Sequence, residues 1–184
     1  MTKRAFSVLM TILLAIPVIA QHRRDPLNDL EIEKIRDSAQ LPEERLKLYI
    51  EFARARLDRV QQAQSDPKAT NRNQQIHDAL QDFLDIYDEL NSNVDTFVDR
   101  GADLRKALKP VIEADTEFGS KLRAFKSQVS GDREAMKEYD FLLGSALEAT
   151  DGAAKDHRQL LAEQEETFKH KKKQDRKESA RHPE

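Results

Sequence analysis

From Ile76 onward, core-type residues return at alternating steps of four and three. The series is Ile76, Leu80, Phe83, Tyr87, Leu90, Val94, Phe97, Gly101, Leu104, Leu108, Val111, Asp115, Phe118, Leu122, Phe125 and Val129, and only Gly101 and Asp115 interrupt its apolar character. A heptad held in one phase over this length is a helix pattern, not a strand pattern. Flanking Ala79, Leu84, Ile86, Val98, Ala107, Ile112 and Ala114 widen the stripe. A two-stranded seam needs only the narrow stripe, so this segment is expected to meet two or more partner helices. Pro110 costs ~3 kcal/mol in a helix interior, and Gly101 weakens the helix further. A loop ordinarily resets the phase. The expectation is therefore one kinked helix from Asn71 to Val129, roughly 90 Å long at ~1.5 Å per residue, with a break at Gly101 as the alternative. Gly101 reads as a packing notch rather than a hinge.

Three further helices are expected. The first spans Leu27 to Gln40, with Leu27, Leu30, Ile35 and Ala39 as its apolar positions. The second starts at Pro42, which suits a first helical turn, followed by Glu43 and Glu44 where the macrodipole favours acid. It ends at Ser65, before Asp66-Pro67. The last begins near Arg133, after a Ser130-Gly131-Asp132 turn in which Gly131 suits a C′ position and Asp132 an N-cap.

The second helix carries two apolar faces. Leu46, Tyr49, Ile50, Ala53, Leu57 and Val60 form a stripe roughly 100° wide. Leu48, Phe52 and Ala55 form a smaller patch away from it. One face is expected on the long helix and the other on the last helix or the first. Leu48 and Phe52 are accordingly candidate interaction residues, within the chain or with a partner.

The stripe of the last helix includes Met136, Tyr139, Leu143, His157, Leu160, Leu161, Gln164 and Phe168. Beyond Phe168 the chain reads KHKKKQDRKESARHPE. It has no apolar face, and a frayed, solvated tail is expected over 169–184. Lys171, Lys172 and Lys173 are candidates for weak contact with anionic lipid or envelope polymer, against the plainer reading of a basic helix end favoured by the macrodipole.

The N-terminus carries an address. Lys3 and Arg4 precede an uncharged, mostly apolar run from Ala5 to Ala20, with small Val18 and Ala20 ahead of Gln21. This is the pattern of a secretory signal cleaved after Ala20. An uncleaved membrane anchor is the alternative, but the run falls short of the ~20 residues a spanning helix needs. The domain organisation expected is a signal peptide over 1–20, a helical bundle over 21–168 and the basic tail. Export places the chain in the periplasm or outside the cell. It also argues against nucleic acid as the target of the basic tail.

The chain has no cysteine, which removes disulfides, thiolate metal sites and attachment of lipid or haem through sulfur. It has 31 Lys and Arg against 34 Asp and Glu, and loss of Lys3 and Arg4 with the signal makes it slightly more acidic. Catalytic patterns are missing. The residues three before His77, His157 and His170 are Gln74, Ala154 and Thr167, so the Glu-x-x-His of di-iron bundles is absent. Met136 and His157 stand roughly 30 Å apart along one helix, too far to share an iron. There is no phosphate loop, and FLLGSAL lacks the second glycine of a nucleophile elbow. Catalytic, cofactor and metal residues are therefore expected to be none, and the chain is expected not to be an enzyme. His157 is expected to be buried against a neighbouring polar group, one candidate ligand making no metal site. Asp115 is expected at solvent near Pro110, with a pairing across the bundle as the alternative.

The runs RLKLYIEFARARLD and DPLNDLEIEKIRD resemble a group of uncharacterised exported helical proteins of bacteria. The resemblance covers about the first half of the mature chain and implies an exported all-helical fold, with no activity or ligand.

The expectation is an all-α protein, an elongated antiparallel bundle of three to four helices with one long kinked central helix. Its role would be non-enzymatic, through contact with itself, another protein or the cell envelope. The alternative is a bundle holding a small ligand or metal between its helices.

Overall fold

The structure, a computed structural model, describes residues 25–179. The side chains of Arg133, Ala135 and residues 172–179 are outside that description, as are the expected signal peptide and its cleavage position. The described residues are all-helical: α1 (Asp29–Asp37), α2 (Pro42–Ser65), α3 (Arg72–Asp99), α4 (Leu108–Val129) and α5 (Arg133–Ser179).

Local chemistry accounts for most of the boundaries. Asn28 caps α1 in a reciprocal box with Glu31, each side chain accepting from the other's backbone N–H. α1 is shorter than the expected 27–40, and its Leu30 is exposed. α2 has the expected bounds, with Pro42 in its first turn. Asp132 Oδ1 accepts from the Glu134 N–H at the start of α5.

The expected single helix from Asn71 to Val129 is instead two helices, α3 and α4. Gly101 has φ +71°, a conformation that costs other residues a clash at Cβ. Pro110 lies in the first turn of α4, where its missing N–H costs nothing. The segment between the helices is fastened by the side-chain amide of Gln164. Its Oε1 accepts from Leu104 N–H at 2.7 Å and its Nε2 donates to Ala102 O at 3.1 Å. The Arg105 guanidinium stacks 4.5 Å from the centre of the Phe168 ring. All of the heptad positions except Gly101 are nevertheless buried. The phase reported which residues face the core, and the core continues across a chain reversal.

α2 to α5 pack as two antiparallel hairpins, α2–α3 and α4–α5. α2 also lies along α4, and α3 along α5. The α2–α4 pair is parallel: Arg54 meets Glu117 and, one turn on, Asp58 meets Lys121. α3 and α4 face each other diagonally. The Phe83 and Phe118 rings meet edge to face at 5.5 Å between centroids, and Tyr87 stacks on Phe83. α2 and α5 occupy the other diagonal, and of the two partners expected for the second face of α2, the last helix or the first, it is the first that α2 packs against.

The second face of α2 belongs to α1. Phe52 is buried, and Leu48 is partly buried against the same core. Leu48, Phe52 and Arg56 form one row at four-residue spacing, and Arg56 donates from both terminal nitrogens to the Glu31 carboxylate of α1. Arg45, on the same side, donates to Ile35 O at 2.6 Å.

α5 has 47 residues, a length of about 70 Å. The expected frayed tail is helical to Ser179. Lys, Arg, Glu and Gln are good helix formers, and Glu166 pairs with His170 one turn on, at 2.8 Å.

Candidate functional site

Three regions bear on function: the Leu48–Phe52 patch, the basic end of α5 and a polar cluster inside the bundle. In the patch Phe52 is buried and Leu48 only partly so.

The basic end is outward. Phe168 is the last α5 side chain described in contact with another element. Lys169, His170 and Lys171 are exposed. Lys172 and Lys173 follow on the same helix, their side chains outside the described set. No helix among the described residues is long and apolar enough to cross a membrane.

The polar cluster joins three helices. Tyr87 of α3 donates its hydroxyl to Asp115 Oδ1 at 2.7 Å, and His157 Nδ1 of α5 lies 2.9 Å from Asp115 Oδ2. Asp115 is 2% exposed and His157 5%. The expectation for His157, burial against a polar neighbour, matches this arrangement. Asp115 is not at solvent as expected but makes the pairing across the bundle given as the alternative. Asp115 faces the core from α4 because the heptad phase puts it there, and a buried carboxylate needs donors. Tyr87 and His157 supply one to each oxygen. Burial, the Asp115 charge and the hydrogen bond to it all push the Tyr87 phenol above its ordinary value, so it remains a donor.

With Tyr87 on one oxygen, an ionised Asp115 takes the 2.9 Å contact at its other oxygen from an Nδ1–H of His157. A carboxylate that orients an imidazole is one half of the triad geometry; among the described residues no hydroxyl is hydrogen-bonded to the His157 ring. No group of three or more His, Asp or Glu among the described residues is placed to hold a metal. With the Phe83, Tyr87 and Phe118 rings around it, the cluster ties α3, α4 and α5 together through Asp115.

A buried ion pair joins α2 to α1. Arg56 is 1% exposed. It donates to both Glu31 oxygens and to Pro26 O, while its Nε has no partner. Burial pushes the Glu31 carboxyl up, but the bonds from Arg56 and the Asn28 N–H, with the Arg56 and Arg59 charges, outweigh it and hold it below its ordinary value. Sequence reading did not single out Arg56. The signal was its place four residues after Phe52.

Comparison with family models, with curated proteins and with solved structures finds no match.

Proposed function

We propose that this chain is an exported, non-catalytic helical bundle that works by contact, with the basic end of α5 meeting an anionic surface of the cell envelope. One observation carries the reading: α5 continues as a helix for eleven residues past Phe168, about 16 Å at helical rise. Residues 169–184 hold seven Lys or Arg and three Asp or Glu. Basic residues close to an anionic membrane contribute up to ~1 kcal/mol each, and the attraction decays within a Debye length. The Tyr87–Asp115–His157 cluster is accounted for by contacts between α3, α4 and α5, which supports a non-catalytic role. The N-terminal signal pattern and the resemblance to exported helical proteins support export.

Co-sedimentation with anionic vesicles tests the contact. The chain ending at Phe168 should stay in the supernatant, and the full chain should pellet at low salt and be released by added salt. Equal recovery of both in the supernatant overturns the reading. Export is tested separately by mass spectrometry, which should find Gln21 as the mature N-terminus in the periplasmic or secreted fraction.

A further inference from the structure

α1 covers only part of the α2–α3 face on which it lies. Pro26 O accepts from Arg56 and Ile35 O from Arg45. α1 therefore runs antiparallel to α2, and its start leads toward the C-terminal half of α2. The α2 row that carries α1, Arg45, Leu48, Phe52 and Arg56, continues at three- and four-residue steps through Arg59, Ala63 and Asp66. Beside that continuation α2 and α3 leave an open groove of about 410 Å³. Its floor includes the buried Ala63 and Ala79, and Asp66, Asp78 and Asp82 line it with Arg59. Asp82 is 6% exposed, with Arg59 Nη1 4.0 Å from its Oδ2.

Three facts name the occupant. The groove is continuous with the α1–α2 interface. Its three carboxylates face one guanidinium, and the chain just ahead of Pro26 supplies the opposite charge as His22, Arg23 and Arg24. The lengths also agree. From Arg56 to Asp66 is ~15 Å at helical rise, and the five residues 21–25 reach ~17 Å when extended. We propose that residues 21–24 lie extended in this groove as a strap, with the Arg23 and Arg24 guanidinium groups among Asp66, Asp78 and Asp82. The strap holds the open end of α1, the smallest element, on the bundle. It is independent of the basic end of α5 and does not depend on removal of residues 1–20.

The chain has no cysteine, so nitroxide labels at His22→Cys and Ser92→Cys report one distance in the whole chain. A single narrow distance of roughly 20–30 Å is expected at low salt, from the helical rise between the groove and Ser92 along α3. Asp66→Lys with Asp78→Lys should broaden it. Both positions are at least partly exposed, so the helix content read by circular dichroism should be unchanged. Adding Arg23→Glu and Arg24→Glu to that pair should restore the narrow distance. The α1 amides should exchange about fivefold faster in the Asp66→Lys Asp78→Lys chain, the upper range for exposed ion pairs, and return to the original rate in the fourfold variant. A broad distribution in the otherwise unaltered chain would overturn the strap, as would a narrow one indifferent to the reversals. Unchanged α1 exchange would overturn its hold on α1. A narrow distance that appears only at high protein concentration would give the groove to the leader of a second copy, and the strap within one chain would fall.

Discussion

Arg56 and Glu31 close a two-pronged ion pair between α2 and α1 in a place that water hardly reaches. Their side chains are 2% and 12% exposed. The pair joins the smallest element of the fold to the bundle, and the row that presents Arg56 also carries Leu48 and Phe52.

Removing one partner should cost more than removing both. Glu31→Leu leaves the Arg56 guanidinium buried without its counter-charge, which costs ~3–5 kcal/mol, whereas well-packed apolar replacements at both ends recover much of that. Glu31→Leu with Arg56→Met should therefore be more stable to urea than Glu31→Leu alone. Hydrogen exchange should show the single variant releasing α1 first. A single variant as stable as wild type, with α1 amides still protected, would refute the role assigned to the pair.

Acid should act through the same carboxylate. Glu31 and Glu117 are both held below the ordinary value of 4.5 in the folded chain, Glu117 chiefly by its bond from Arg54. The unfolded chain then takes up these protons first. Their contribution is complete above the ordinary value and is lost as pH falls through the depressed folded values. Urea midpoints should be nearly flat from about pH 7 to pH 5 and fall below that. The fall should be shallower in Glu31→Gln Glu117→Gln, and an unchanged acid slope would count against these two groups.

Phe52→Ala should destabilise the chain by about 3 kcal/mol, the ordinary cost of emptying a buried ring site. The loss should be independent of protein concentration, because the ring is covered from within one chain. A loss that appears only as dissociation of a dimer would reassign the patch to a contact between copies.

Gly101→Ala should cost about 1–2 kcal/mol, the penalty of a side chain in the left-handed region. The space around a Cβ there is open, so packing adds nothing. Thermal or urea unfolding reads the difference, and an unchanged midpoint would mean that the backbone at 101 relaxes to another conformation at no cost.

Much of the fold was legible because burial in helices is periodic. The bounds of α2, the start of α5 and the buried face of α3 and α4 all follow from spacing, Pro42 and the Gly131-Asp132 turn. Continuity was not legible, because the spacing of core residues survives a reversal that keeps both helices on the same core. The site was half legible. Tyr87, Asp115 and His157 each stood on a core stripe, but their meeting depends on how far three helices slide past one another, which no local pattern sets. The helix running to Ser179 was not anticipated because a helix without an apolar face can rest on propensity and Glu166–His170 pairing alone.

The reversal at 100–107 also decides how many molecules make one bundle. The core positions keep step across it, so the same sequence drawn as one straight rod would still present a single seam. In that form the α4–α5 hairpin points away from its own α2–α3 hairpin, and each is left to find its complement on a second copy. The result is an exchanged dimer with the same interior contacts. Gly101 and Pro110, with Gln164 and Phe168 fastening the segment from α5, bias the chain toward closing on itself. Four residues that add little to the core thus favour one chain per bundle over two.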